Sequence, residues 1–296
     1  MSSLLRWLSR RPLWFAHGLG AALGWLIYLA SPAYRRRFKA NAAQADVPWP
    51  LARPAIAEAG KLVCELPFLW LRPGTQPVQP RVRWTGAALA AQAHAQGRGI
   101  LLLTPHMGSF EVSAQAYAEK FGPSQGPLTV LYRPARQAWL RERMQSGRDR
   151  PHMSTAPASL AGVRQMIRAL RRGEAVGLLP DQVPPDGMGV WAPFFGRSAY
   201  TMTLASRLLQ QSGAVPLLVW GERLPGGAGY VIHLSSLPGV AKAPTAAPTA
   251  QAESAGTINR AMEDLIRQRP QQYLWGYNRY KQPRSGEAPA RPGNAA

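Results

Sequence analysis

His106 and Glu111 stand in the run Thr104-Pro105-His106-Met107-Gly108-Ser109-Phe110-Glu111. Five steps along a helix turn through about 500°, leaving the two side chains roughly 140° apart, so they cannot share one helical face. They meet if His106 lies in the loop leaving a strand and Glu111 in the first turn of the next helix. Gly108 and Ser109 permit that sharp entry, and the helix dipole favours a carboxylate in the first turn. A carboxylate bonded to one imidazole nitrogen fixes the tautomer, so the other nitrogen can take a proton from a hydroxyl. This is general-base chemistry on an alcohol. The spacing by itself is equally that of an ordinary loop histidine.

The elements that must position this pair alternate along the chain. Gly99-Ile-Leu-Leu-Leu-Thr104 predicts a fully buried strand, followed by a helix from Ser109 to Lys120. Leu128–Tyr132 predicts a second strand and Gln137–Gln145 a second helix. Ser159–Arg172 carries Val163, Met166, Ile167 and Leu170 on one helical face. Ala175–Leu179 is a third strand, Thr201–Gln211 a helix, and Val215–Trp220 and Tyr230–Leu234 two more strands. Ala/Pro/Thr-rich 238–250 reads as a loop, Ser254–Arg269 as a helix, and 282–296 as a disordered tail. Prolines 48, 50, 54, 67 and 73 predict only short helices between 42 and 75. The pattern is α/β, a mostly parallel central sheet flanked by helices.

Ahead of this lies Leu13–Ala30, eighteen residues without Asp, Glu, Lys or Arg. As a helix it is about 27 Å long, near the thickness of a bilayer's hydrocarbon core. Trp14, Trp25 and Tyr28 lie toward its ends, where amphipathic rings favour the interface. Arg6, Arg10 and Arg11 flank one side and Arg35, Arg36, Arg37 and Lys39 the other, so charge does not set the topology. Leu29-Ala30-Ser31-Pro32 is a poor cleavage site, and Ser9-Arg10-Arg11 resembles a twin-arginine signal only loosely. A buried core helix is the alternative to a retained anchor. The expected organisation is an anchor with basic flanks over 1–38, a catalytic domain over 39–281, and the tail 282–296.

The chain carries 35 Lys+Arg against 15 Asp+Glu, a formal charge of +20, and only five of the basic residues are lysine. An arginine excess of this size suits phosphates, anionic headgroups or an acidic protein. A nucleic-acid-binding protein has charge alone in its support, with no recognisable motif. The single cysteine, Cys64, excludes an internal disulfide framework and a cysteine-based zinc cluster. Gly122-Pro-Ser124-Gln-Gly126 matches a nucleophile elbow by letter only: that elbow needs a strand before it and a helix after, and here the order is reversed.

The runs GILLLTPHMGSFE, LYRPAR, GLLPDQVP, FFGRSAYT and QYLWGYNRYK resemble the lipid A biosynthesis acyltransferases of the lauroyl/myristoyl type, from the N-terminal apolar helix through Lys281. These sit within the wider lysophospholipid and glycerol-phosphate acyltransferase superfamily. The His-x4-acid motif alone marks only that superfamily; glutamate in place of aspartate and the downstream blocks point to the lipid A branch.

The resemblance implies an inner-membrane enzyme with its active site on the cytoplasmic face. It would move a fatty acyl group from acyl carrier protein to a hydroxyl of a lipid A precursor, with no cofactor beyond the thioester donor and no nucleic-acid partner. Carried over by position, His106 is the general base and Glu111 its orienting partner. Arg148 falls where the family has an arginine important for activity, and Asp181 on a functional aspartate at a strand's C-terminal end. Arg133 and Arg148 could bind phosphates of the acceptor or of the carrier's phosphopantetheine arm. Arg279 and Lys281 could sit at the headgroup interface. Asp181 could touch substrate, cap a loop or pair with Arg148. The oxyanion donor is left between backbone N–H groups near Gly108 and an arginine. A lysophospholipid or aminolipid acceptor fits the same motifs.

Overall fold

The computed structural model describes residues 2–73, 76–132, 150–237 and 248–283. The predicted helix Gln137–Gln145, Arg133 and Arg148 lie outside the described residues, as do most of the predicted loop 238–250 and of the tail. The chain opens with helices α1 (Ser2–Ser9), α2 (Leu13–Ala30), α3 (Pro32–Gln44), α4 (Trp49–Ala52) and α5 (Pro54–Leu71). There follow β1 (Val82–Thr85), α6 (Ala87–Ala95), β2 (Ile100–Leu103), α7 (Phe110–Gln125), β3 (Leu128–Tyr132), β4 (Met153–Pro157), α8 (Leu160–Arg171) and β5 (Ala175–Leu178). The rest is a hairpin of β6 (Gly189–Phe194) and β7 (Arg197–Met202), then α9 (Leu204–Ser212), β8 (Val215–Arg223), β9 (Tyr230–Ser236) and α10 (Pro248–Gln268).

The main sheet has strand order β1-β9-β8-β2-β5-β3-β4, parallel throughout except for the β8–β9 pair. This is the expected mostly parallel α/β sheet. Its centre, β2, is buried at all four positions, because helices cover both faces and a central parallel strand must be apolar on both sides. One core gathers Leu101, Leu103, Val176 and Leu178 with α8 and α10; the other gathers Ile100, Leu102, Val219 and Ile232 with α6 and α7.

Two expectations are corrected. Residues 54–71 form one continuous helix, not short pieces: Pro54 sits at its first turn, where a missing N–H costs nothing, and Pro67 is carried inside. Thr201 and Met202 end β7, so the helix predicted from Thr201 starts only at Leu204. Gly122–Gln125 form the last turn of α7, closed by Gly126 at φ +81°, so Ser124 has no nucleophile elbow around it.

α2 is the helix long and apolar enough to cross a membrane among the described residues, with mean hydropathy 1.4. It fits a membrane anchor. One stripe of it (Ala16, His17, Gly20, Gly24, Tyr28) is buried, chiefly along α5, while Trp14, Trp25, Leu26 and Leu29 stay exposed. The small residues let the two backbones touch: a Cβ on Gly20 would lie 2.6 Å from Lys61 Cα, and one on Gly24 would run into the Ile56 carbonyl. Gly24→Leu should therefore destabilise the protein by about 1–3 kcal/mol. Gly18→Leu, with nothing within 4 Å of its Cβ, should leave it unchanged. Thermal unfolding in detergent checks both; equal melting of the two variants would mean that α2 is not seated on α5.

Candidate active site

The loop leaving β2 carries His106, and the segment leaving β5 carries Asp181. The two strands are adjacent and parallel, and their pairing continues one residue further as Thr104 N–H donates to Leu178 O at 3.1 Å. Both side chains thus emerge at the carboxyl edge of the sheet, where open α/β sheets form their crevices. His106 Nδ1 lies 2.6 Å from Asp181 Oδ1, and the His106 backbone N–H donates to Asp181 Oδ2 at 2.9 Å. Asp181 is 1% exposed, whereas the imidazole keeps 19% of its side chain open.

Burial acts to raise the Asp181 pKa. The charge of His106, its two hydrogen bonds and the charge of Arg279 outweigh burial, and the carboxyl is held below the ordinary aspartate value. Burial, then the charge of Asp181, pushes the neighbouring Tyr273 phenol well above its usual range. An ionised Asp181 places the ring proton on Nδ1 and leaves Nε2 as the acceptor. The Phe110 ring packs edge-on against the imidazole, centroids 5.2 Å apart.

The pairing expected from the His-x4-Glu spacing is thereby corrected. Helix α7 starts at Phe110, so Glu111 turns toward α5, where it accepts from Trp70 Nε1 at 3.4 Å, 5% exposed. The carboxylate on the imidazole belongs to Asp181. Glu111→Gln should consequently cost about tenfold in turnover, less than the amide variant of Asp181. Steady-state kinetics on both variants checks this ranking, and an equal or larger loss at Glu111 would contradict it.

The loop itself is bolted down by its own amides. Met107 N–H donates to Pro105 O at 2.8 Å, Gly108 N–H to Gln272 O at 2.9 Å and Ser109 N–H to Gly221 O at 2.8 Å. Gly108 sits at φ +55°, and a Cβ there would strike the Gly221 carbonyl, so only glycine fits. These three amides are committed to backbone carbonyls of the fold. The segment 272–275 closes the loop from the other side, Leu274 N–H donating to His106 O at 3.2 Å.

Arg279 is a second correction. It is 2% exposed, not at a headgroup interface. Its guanidinium donates to Tyr200 O and Thr201 Oγ1, both at 2.7 Å, and stacks 4.9 Å from the Phe194 ring. The β6–β7 hairpin accepts from both terminal nitrogens of this buried guanidinium, Nε has no hydrogen-bond partner among the described residues, and its charge still reaches Asp181.

Sequence reasoning missed a buried polar cluster beneath the loop. Glu65 on α5 is 0% exposed and accepts from Ser109 Oγ (2.6 Å), Arg223 Nη2 (2.7 Å), Arg223 Nε (2.9 Å) and Tyr230 OH (3.1 Å), with His17 Nε2 at 3.2 Å. Arg223 also reaches Glu58 at 2.6 Å and Gly108 O at 3.1 Å. Burial acts to raise the Glu65 carboxyl, but the Arg223 charge and these hydrogen bonds bring it down to about 2. A charged residue amid an apolar helix, CELPFL at 64–69, is the signal that could have exposed it.

A family model described as bacterial lipid A biosynthesis acyltransferase matches residues 4–282. A lipid A biosynthesis lauroyltransferase of Escherichia coli (strain K12) is 32% identical over 204 residues, 67% of this chain and 62% of that protein. A lipid A biosynthesis palmitoleoyltransferase of the same organism is 30% identical over 199 residues, 67% of this chain and 60% of that protein. A lipid A biosynthesis acyltransferase of Haemophilus influenzae (strain ATCC 51907 / DSM 11121 / KW20 / Rd) is 24% identical over 204 residues, 67% and 58% of the two chains. The chain thus spans about three fifths of the length of the relatives it matches.

Proposed function

Since the chain belongs to the bacterial lipid A biosynthesis acyltransferase family, we propose that it transfers a fatty acyl group from an acyl carrier protein thioester to a hydroxyl of a lipid A precursor. The observation carrying this is the half-open imidazole of His106, with Nδ1 engaged by buried Asp181 and Nε2 left over. Nε2 takes the acceptor hydroxyl's proton as that oxygen attacks the thioester carbonyl. The tetrahedral intermediate then collapses, the C–S bond breaks, and the imidazolium returns the proton to the departing thiolate. The products are an ester and the carrier's free thiol. No acyl-enzyme is formed: Cys64 is buried on α5, and Ser109 hydrogen-bonds Glu65.

The oxyanion falls to a backbone N–H at the start of α7 or to an arginine side chain. Glu111 adds negative charge at the positive end of α7 and so favours the imidazolium at a distance. The exposed apolar face of α2, beside Arg10, Arg11 and Arg35–Arg37, suits the inner-membrane surface, with the sheet's carboxyl edge on the cytoplasmic side. A charge of +20 attracts both an acidic carrier and a phosphorylated lipid, so encounter should weaken as salt rises.

Purified protein in detergent, given acyl carrier thioester and lipid A precursor, should yield a precursor heavier by one ester-linked acyl group in mass spectrometry. Acylation of a lysophospholipid or an aminolipid instead, with the lipid A precursor untouched, would replace this acceptor.

A further inference from the structure

Ser109 is the N-cap residue of α7, yet its hydroxyl does not cap its own helix; it donates to Glu65 at 2.6 Å. An N-cap serine ordinarily satisfies an orphan amide of the first turn, worth about 1 kcal/mol. Here that bond is given up for one to a carboxylate 44 residues earlier in the chain. The same carboxylate grips Arg223 through two nitrogens, and Arg223 in turn holds the carbonyl of Gly108. Two consecutive residues of the loop that presents His106 therefore hang on one buried anion, one through its side chain and one through its backbone.

From the opposite direction, His17 of α2 meets the other oxygen of that anion at 3.2 Å. Tyr230 of β9 donates to that same oxygen, whereas Ser109 holds the first. Neither Glu65 nor Arg223 approaches substrate: both are fully enclosed, and Asp181 already completes the imidazole's needs.

We propose that Glu65 is a positioning residue for acyl transfer: through Ser109 and Arg223 it sets the path of the His106 loop, and through His17 it keys the apolar helix α2 to that loop. The inference rests on His106 being the reacting base of the proposed transfer. Its physical basis is that a base must be held within a few tenths of an ångström of its productive place, and shared hydrogen bonds to one buried charge are a stiff way to do so.

The test compares two hydroxyl deletions on the same carboxylate. Ser109→Ala removes the donor that leads to the loop; Tyr230→Phe removes one that leads to β9. Each deletes one buried hydrogen bond of similar worth, so a purely structural role lowers the melting temperature of both and turnover of neither selectively. The proposal expects Ser109→Ala to lose about 5–20-fold in kcat with KM for the thioester unchanged, and Tyr230→Phe to stay within about twofold of the parent. Hydrogen exchange of the Gly108 amide should accelerate in Ser109→Ala alone. Matching kcat values in the two variants, or equal exchange of that amide, would overturn it. Should the parent protein transfer no acyl group, the functional reading fails, and the exchange comparison by itself still decides whether Glu65 holds the loop. Glu65→Gln, if it folds, should reproduce the Ser109→Ala pattern with a larger loss.

Discussion

Replacing His106 by alanine should lower acyl transfer by about 10²–10⁴-fold, the usual worth of a positioned general base. The loop should survive the change. Its course is held by the His106 backbone, whose N–H goes to Asp181 and whose carbonyl receives Leu274, and by the amides of Gly108 and Ser109. Asp181 keeps the His106 N–H and the nearby Arg279 charge. The ring itself is partly open and packs mainly on Phe110, so melting should shift by only a few degrees, about 1 kcal/mol or less. Turnover measured beside thermal unfolding separates loss of the base from loss of the fold. A folded variant within about fivefold of the parent would remove His106 from the chemistry.

Asp181→Asn should give the next largest loss, about 10²–10³-fold in kcat, with KM little changed. The amide retains one acceptor where the carboxylate offers two, and two donors from His106 compete for it. More important, the negative charge that stabilises an imidazolium beside it is gone. The acid stability of the protein should change as well. The Asp181 carboxyl is held below its ordinary value in the folded state, so its ionisation stabilises the fold above the usual aspartate range. That contribution fades as pH falls through the folded value. The asparagine variant should lack it, and acid denaturation curves would show the difference. An effect confined to KM would make Asp181 a substrate-binding group, the role the resemblance left open for it.

His106 was legible as a candidate base only with the resemblance beside its spacing, whereas the strand that presents it was legible from residue types alone. The buried runs ILLL, LTVLY and AVGL become β2, β3 and β5 because a central parallel strand must be apolar on both faces. Partnership across strands was not legible. Local spacing pairs His106 with Glu111, but the relevant distance is lateral: two parallel neighbours bring residues 75 positions apart to 2.6 Å. Short strands that alternate polar and apolar residues were missed too. β1 and the β6–β7 hairpin carry Arg, Trp, Thr and Pro, and their strand state is set by pairing with β9 and with each other. The segment 270–280 misled through composition. Its aromatics and Arg279 look interfacial, yet Trp275 and Tyr273 are core residues, held by Asn41 Nδ2 donating to Trp275 O and Tyr277 O at 2.7 Å. Gly20 and Gly24 take their meaning from Gly60 lying opposite them.

Nitrogen-15 and proton NMR of the His106 ring tests most directly which carboxylate holds the imidazole. The geometry predicts a ring protonated on Nδ1, with a strongly downfield proton shared toward Asp181. That signal should vanish in Asp181→Asn and persist in Glu111→Gln. Its persistence in Asp181→Asn, or its loss in Glu111→Gln alone, would transfer the orienting role to Glu111 and contradict the site described above.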